Sequence, residues 1–535
     1  MERTFCLRVA VTLVAGLLCL LPLLVSCSAE QPENEVADAD RKSAEASGGE
    51  GSEVRARGTG SRIPDETETA TRLPDPRASL VPVAHLSSLR EGVSLRDLSE
   101  AEELWVPRGS LGAAKDLIDR PGFQGLVSAE AVIDHVSRTP GALGLVPWDK
   151  VGPRVRALAV EGRSILEPGA ADLSNYPLRF SGGAEPDPRE LRRVVIGGDV
   201  VLDRGQNYAV IQQGLGLDFP LDGGYAAVTG RMPELSPYSE TGTIHQFDAT
   251  RVGNAGAVRD YLSGADLTLA NFENPLVEGA VWHPEETYFT GDLRLMPILD
   301  QAGIDGVTLG NNHVLDAGAA GLVETLGHLD RAGIARAGAG TNLADAREPM
   351  IFDLGGTKVG VLSYLGIPGY DWAWATETAP GTAPLREDVV REDVERLRDE
   401  VDLLVVMPHW GREYLATPEP GQVELAHAAV DAGADLVVGG HAHWPKGVEL
   451  YEETPIFYGV GNFLLDQSWS EETSTGIFAE ITLYGARIVQ IEPVPFVLLD
   501  YAQPNFLVPE AGGDRALRRV YAASRGPEFG AYENR

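Results

Sequence analysis

Between residues 190 and 495 seven short apolar runs, Val194-Ile196, Leu267-Ala270, Val307-Leu309, Val359-Tyr364, Leu403-Met407, Leu436-Val438 and Ile456-Tyr458, alternate with stretches of helical period. Such runs, rich in β-branched residues, predict buried strands, while Ala320-Ala332, Glu387-Glu400 and Gln422-Ala432 predict helices. A chain that alternates in this way is confined to a layered α/β architecture. Three helices should close on a glycine in the left-handed conformation and pass directly into a strand, at Gln301-Ala302-Gly303, Arg331-Ala332-Gly333 and Asp431-Ala432-Gly433. No repeat of solenoid period interrupts the pattern.

The chemistry sits just past the strands. In open α/β sheets the carboxyl ends of the strands form the crevice where ligands collect. Five junctions carry metal-binding residue types. The first strand ends at Gly197-Gly198-Asp199, where a carboxylate either ligates a cation or caps the next turn. The second ends at Asn271-Phe272-Glu273, whose two polar side chains share a face if strand geometry continues. The third runs into Gly310-Asn311-Asn312-His313, followed by Asp316; an amide oxygen suits a hard cation and a neighbouring imidazole can move a proton. The fourth is Met407-Pro408-His409-Trp410-Gly411, with Glu413 close behind. The fifth is Gly439-Gly440-His441-Ala442-His443, where imidazoles two apart should project to one side and the glycines allow close backbone approach. His85, His135, His245, His328 and His427 read as ordinary polar histidines, and His283 is left open. Four of the ten histidines, by contrast, follow β-like runs in company with Asp199 and Glu273. Such a set converging on one sheet edge predicts a two-metal site.

Charge and cysteine content narrow the partners. The 535 residues carry 44 Lys and Arg against 79 Asp and Glu, a formal charge of −35. This field repels nucleic acid and anionic headgroups, so an anionic substrate must be held by local cations. The three cysteines, Cys6, Cys19 and Cys27, all precede residue 28. The body therefore has no disulfide, and a metal site within it must use His, Asp, Glu and Asn.

Residues 1–27 have the pattern of a secretory signal, an uncharged apolar run from Val9 to Val25 ending Leu24-Val25-Ser26-Cys27. That ending resembles the lipobox of bacterial lipoproteins, in which the cysteine, here Cys27, is lipidated and becomes the mature N-terminus; an uncleaved membrane helix is the other reading. The resemblance implies a lipid anchor on the extracytoplasmic face of a bacterial membrane. Residues 28–78, rich in Glu, Asp, Gly, Ser and Ala, read as an acidic tether too poor in large apolar residues to fold. Residues 79–185 read as a small α/β lobe whose segments "GVSLRDL", "TPGALGLVPW" and "VRALAVEG" resemble part of a periplasmic solute-binding protein of the phosphate-binding type. A complete receptor would need about twice this length, which favours packing or partner contact over ligand binding. Residues 496–535 read as a terminal strand and a docking helix.

The strings "GGDVVLDRG", "ADLTLANFENPL", "GIDGVTLGNNHVLDAGAAGLVETLGHLDRAGIARAGAG", "HWGREY" and "GADLVVGGHAHWPKGVELYEETPIFYGVGNFLLDQ" span nearly all of residues 190–495. They resemble the CapA family of capsule and poly-gamma-glutamate biosynthesis proteins, itself similar to calcineurin-like metallophosphoesterases. The resemblance implies a four-layer αββα sandwich with two divalent metal ions (Mn, Zn, Fe or Mg). It implies Asp199, Asn312, His409, His441 and His443 as ligands, Glu273 as bridging carboxylate, and His313 as proton-transferring residue. Two departures matter. Val201 stands where phosphoesterases place a histidine, and Asn271-Phe272-Glu273 replaces a Gly-Asp motif, so one metal position is expected to be weaker or empty unless Asp203 or Asn271 fills in. Asn311 and Asn462 would support the loops beneath the site.

The expected activity is a metal-dependent hydrolase, phosphoesterase-like or amide-cleaving, acting on an anionic envelope polymer or its precursor. The rival is a non-catalytic, metal-assisted polymer-binding scaffold of a membrane synthase or export complex.

Overall fold

The computed structural model describes residues 77–532 apart from 169–172, 183–184, 236–242, 254 and 285–286. Cys27 and the tether up to residue 76 lie outside the described residues. No helix among the described residues is long and apolar enough to cross a membrane.

Two sheets face each other. The first has ten strands, ordered 243–252, 225–235, 503–507, 487–499, 475–484, 191–200, 267–272, 306–308 and 335–337, with 462–464 paired beside 191–200. The second has six, ordered 350–353, 358–366, 403–410, 436–438, 454–457 and 448–451. Strands 191–200, 267–272, 306–308 and 335–337 run parallel, as do 358–366, 403–410, 436–438 and 454–457. The predicted runs all fall in or at the end of these strands.

The period of two along each strand sorts side chains into layers. Val194, Ile196, Leu267 and Leu269 meet Val359, Val361, Leu403, Val405, Leu436 and Val438 in the core between the sheets. Val195, Ala270 and Val307 point the other way, onto Val258, Leu262, Ile298, Leu322, Leu326 and Leu329 of helices Ala257–Ser263, Pro297–Gln301 and Gly318–Ala332. Leu362, Leu404, Val406 and Val437 likewise cover helices Glu387–Arg398 and Pro420–Ala432 through Val390, Val394, Leu397, Val423 and Ala426. Four layers result, helix, sheet, sheet and helix, in agreement with the expected αββα sandwich. Each apolar side chain so buried contributes about 1.5–3 kcal/mol. Gly303, Gly333 and Gly433 have φ of 65°, 74° and 119° and close the three helices as expected.

Seven strands of the first sheet were not among the predicted runs. Five of them, 225–235, 243–252, 475–484, 487–499 and 503–507, pair mostly antiparallel and are interrupted by polar residues and prolines, so their apolar runs are short; the end of 487–499 is the terminal strand expected after residue 495. Strand Arg487–Leu499 crosses residue 495, so the C-terminal segment begins inside this sheet. It continues into helix Gly513–Ala523, which adds Leu517, Val520 and Tyr521 to the core.

Residues 77–181 form a separate sheet ordered 124–126, 105–107, 143–147, 77–85 and 155–157, with helix Ala129–Arg138 packed on it. Its core takes in Leu191 and Val489 of the first large sheet. Arg156 pairs with Glu492, and Arg487 donates to the carbonyls of Asp149 and Val151 at 2.8 and 3.0 Å.

Candidate metal centre

Every residue that the sequence nominates as a ligand stands at or just past the carboxyl end of a parallel strand. Asp199 closes strand Leu191–Val200, Asn271 and Glu273 end Leu267–Phe272, Asn312 and His313 follow Gly306–Thr308, and His409 lies in Leu403–Trp410. His441 and His443 follow Leu436–Val438. Glycine allows neighbouring backbone to approach closely within each sheet here: a Cβ on Gly198 would sit 1.7 Å from the Gly461 carbonyl oxygen, and one on Gly439 2.4 Å from that of Tyr458.

The side chains meet in two groups. Asp199, Glu273 and His443 each offer a ligand atom within 4.8 Å of the others, and so do Glu273, His409 and His441. Glu273 belongs to both, which is the position of a bridging carboxylate. His409 Nε2 lies 3.2 Å from Glu273 Oε1 and 2.8 Å from Asn312 Oδ1, so the amide oxygen borders the second group. His443 Nδ1 lies 3.2 Å from Asp199 Oδ2 and 2.9 Å from Asn462 Oδ1.

The imidazoles at 441 and 443 do not share a side through strand alternation, as expected. Both have left-handed backbones, φ 80° and 55°, and each enters a different group. Left-handed backbone at a residue with a Cβ costs about 1–3 kcal/mol, which the surrounding packing must over-determine.

The supporting residues are placed as follows. Asn271 Nδ2 donates to Asp199 Oδ1 at 2.8 Å, and its Oδ1 accepts from Asn311 Nδ2 at 3.1 Å, so this amide orients a carboxylate. Asn311 also donates to the Phe272 carbonyl at 2.8 Å, tying two strand ends. Asn462 Nδ2 donates to the Thr473 carbonyl at 2.9 Å, which holds the amide that faces His443. Asp203 joins neither group: it accepts backbone N–H bonds from Arg204 and Thr290 at 2.8 and 2.9 Å and pairs with His283. Val201 is buried with Phe289 and Leu465 and offers no donor atom.

The electrostatics fit a cation. Glu273 is fully buried, and neither carboxylate oxygen has a hydrogen-bond partner among the described residues; His441 Nδ1 is likewise orphaned. Burial, then the Asp199 charge, pushes the Glu273 carboxyl well above its ordinary range. An unpaired carboxylate in a low-dielectric interior is strongly unfavourable unless a counter-charge accompanies it. Burial lowers His409 to about 4 and holds His441 well below its ordinary value, so both present neutral nitrogen lone pairs, the form that ligates metal. At His443 burial opposes protonation, but the bond to Asp199 and the charges of Glu273 and Asp199 outweigh it and lift the group to about 9. The donor set of carboxylate, imidazole and amide suits a borderline or hard divalent ion.

His313 stands at the rim with Nδ1 2.8 Å from Asp316 Oδ2. Sequence reasoning gave no role to Tyr414, whose ring lies 5.9 Å from that of His443 and 6.2 Å from that of Trp469. Both aromatics are partly exposed beside His443. The signal was present in "HWGREY", where a tyrosine follows the fourth junction, but nothing in its spacing marked it.

A family profile described as "Bacterial capsule synthesis protein PGA_cap" matches residues 193–467, just over half of the chain, and spans all these ligand positions. A "Capsule biosynthesis protein CapA" of Bacillus anthracis is 32% identical over 252 residues, 44% of this chain and 60% of that protein. The chain thus spans less than two thirds of that relative. Among solved structures, a putative 5'-nucleotidase of Staphylococcus aureus is similar with a TM-score of 0.34 and 14% identity, covering 61% of this chain and 57% of the other. An ABC-type phosphate transport receptor of Vibrio cholerae is similar with a TM-score of 0.18 and 12% identity, covering 19% of this chain and 54% of the other. With a profile match over more than half of its length, the chain belongs to the bacterial capsule synthesis protein family PGA_cap.

Proposed function

We propose that this protein is a lipid-anchored, metal-dependent hydrolase that acts on an anionic envelope polymer, poly-gamma-glutamate or its precursor, during capsule synthesis or export. The observation that carries the reading is Glu273, a buried carboxylate with no hydrogen-bond partner, shared by two three-residue donor groups. Asp199, Glu273 and His443 would hold one divalent ion, and Glu273, His409 and His441, with Asn312 alongside, the other. A bound pair of this kind supplies a hydroxide near neutral pH and polarises the scissile oxygen.

The rest falls to the chain. Asn271 and Asn462 fix the orientation of Asp199 and His443, so the donor atoms are in place before substrate arrives. Asp316 holds His313 Nδ1, which leaves Nε2 to give a proton to the leaving group. Tyr414 and Trp469, beside His443, restrict water and line the approach.

The test is metal analysis of the purified protein, with turnover measured on a generic phosphodiester and on poly-gamma-glutamate, with and without chelator. Chelator-sensitive turnover of either substrate is expected. Retention of polymer with no turnover would replace the hydrolase by the scaffold reading. The anchor has its own check: Cys27→Ala should move the protein from the membrane fraction to the soluble fraction and abolish labelling by a radioactive fatty acid. Equal membrane retention of the variant would remove the lipid anchor from the reading.

A further inference from the structure

A second carboxylate-held imidazole stands beside the centre and takes no part in the reading above. The Asp203 side chain is fully enclosed, and its Oδ2 lies 2.9 Å from His283 Nδ1. Backbone N–H groups of Arg204, Thr290 and His283 donate to the same carboxylate at 2.8, 2.9 and 3.3 Å. The His313 pair is built alike: Asp316 Oδ2 lies 2.8 Å from His313 Nδ1 and accepts the Phe289 N–H at 2.8 Å. Phe289 and Thr290 are consecutive, so successive amides brace the carboxylates of both pairs. The Phe289 ring packs on His313 with centroids 4.4 Å apart. The His283 and His313 pairs thus lean on one segment, Phe289–Thr290.

The imidazole is not needed to satisfy Asp203, which already accepts three backbone hydrogen bonds. What the ring adds is a polar edge. A carboxylate only accepts, so Nδ1 carries the hydrogen that faces Asp203 and Nε2 is the edge of the ring left to bond something else. Nε2 has no hydrogen-bond partner among the described residues, and the His283 side chain keeps 15% of its surface open. It lies edge-on to Tyr288, itself 45% exposed.

We infer that His283 is a substrate-positioning residue: its Nε2 hydrogen-bonds an amide or hydroxyl group on the unit adjoining the one that reacts at His313. The site then favours an oligomer over a small ester. This rests on the hydrolase reading for where the substrate reacts, and it adds a length requirement that the metal groups alone do not impose.

The test compares wild type, His283→Phe and His283→Gln, all full-length, metal-loaded and checked for unchanged metal content and melting temperature. The substrates are a gamma-linked glutamate oligomer and a small chromogenic phosphodiester. Loss of one hydrogen bond predicts that His283→Phe lowers kcat/KM on the oligomer roughly threefold to tenfold, mainly through KM. His283→Gln, which keeps a hydrogen-bonding group, should recover part of the loss, and the small ester should show none. Equal losses on both substrates, or none on the oligomer, would overturn the inference. Calorimetric binding of the oligomer separates the two readings. If wild type binds it without turnover and His283→Phe weakens binding, the hydrolase reading fails while the positioning role stands. If wild type does not bind the oligomer, the positioning role fails even where the small ester is cleaved.

Discussion

Glu273→Gln yields a folded protein that has lost metal from both groups at once. The carboxylate is the one residue common to the two donor sets, and it reaches them from a fully buried position just past strand Leu267–Phe272. Glutamine has the same shape but carries no charge to balance a cation. Metal content, measured by plasma mass spectrometry, should fall from the wild-type value to near none. Turnover should fall by at least about 10³-fold, which corresponds to roughly 4 kcal/mol of lost transition-state stabilisation. Stability should respond with opposite sign in the two states. Without metal, wild type encloses a carboxylate that has no hydrogen-bond partner, so the neutral amide should leave the melting temperature unchanged or raise it. With metal at about 100 times its dissociation constant, wild type gains about 2.7 kcal/mol that the variant cannot gain. Thermal melts with and without added Mn²⁺ read both effects. A variant that retains one full equivalent of metal would mean that the two groups are independent and that Glu273 does not bridge them.

The parts of the centre that were legible in the sequence share one property. Asp199, Glu273, Asn312, His409 and His441 each follow an apolar run closely enough for strand direction alone to carry them to a common edge, and glycines mark the close approaches at 198 and 439. What was not legible depends on backbone angles and on pairs far apart in the chain. The left-handed conformations of His441 and His443 leave no trace in residue type, because positive φ usually signals itself through glycine or asparagine. Asp203 and His283 are 80 residues apart, so no periodicity joins them, and the sequence offered the first only as a stand-in metal ligand. Of the antiparallel strands between 475 and 507 only the end of Arg487–Leu499 was legible, as the terminal strand; the others escaped because polar residues and prolines such as Glu480, Thr482, Gln490, Glu492, Pro493 and Pro504 break up the apolar run by which the parallel strands were recognised. The double-sheet architecture was thus carried by parallel strands, and its antiparallel flank had to be seen.

Substitution of His313 is the sharpest separation of catalysis from mere binding. The ring is oriented through Nδ1 by Asp316, is nearly enclosed, and belongs to neither donor group. His313→Asn should therefore keep the metal content and the affinity for glutamate polymer while kcat falls roughly 10²- to 10⁴-fold, the usual contribution of a positioned proton donor. The loss should depend on the leaving group. A nitrophenolate departs without a proton, so the chromogenic ester should lose least; an alkoxide or amine must be protonated as it leaves, so natural linkages should lose most. Asp316→Asn should move in the same direction by a smaller factor, since it alters the orientation and proton affinity of the ring while leaving the ring present. A uniform loss across leaving groups would make His313 a substrate-binding residue instead of a proton donor. Unchanged turnover, with polymer still held, would show that the centre grips its ligand through metal and that the work of His313 lies in shaping the rim around Phe289.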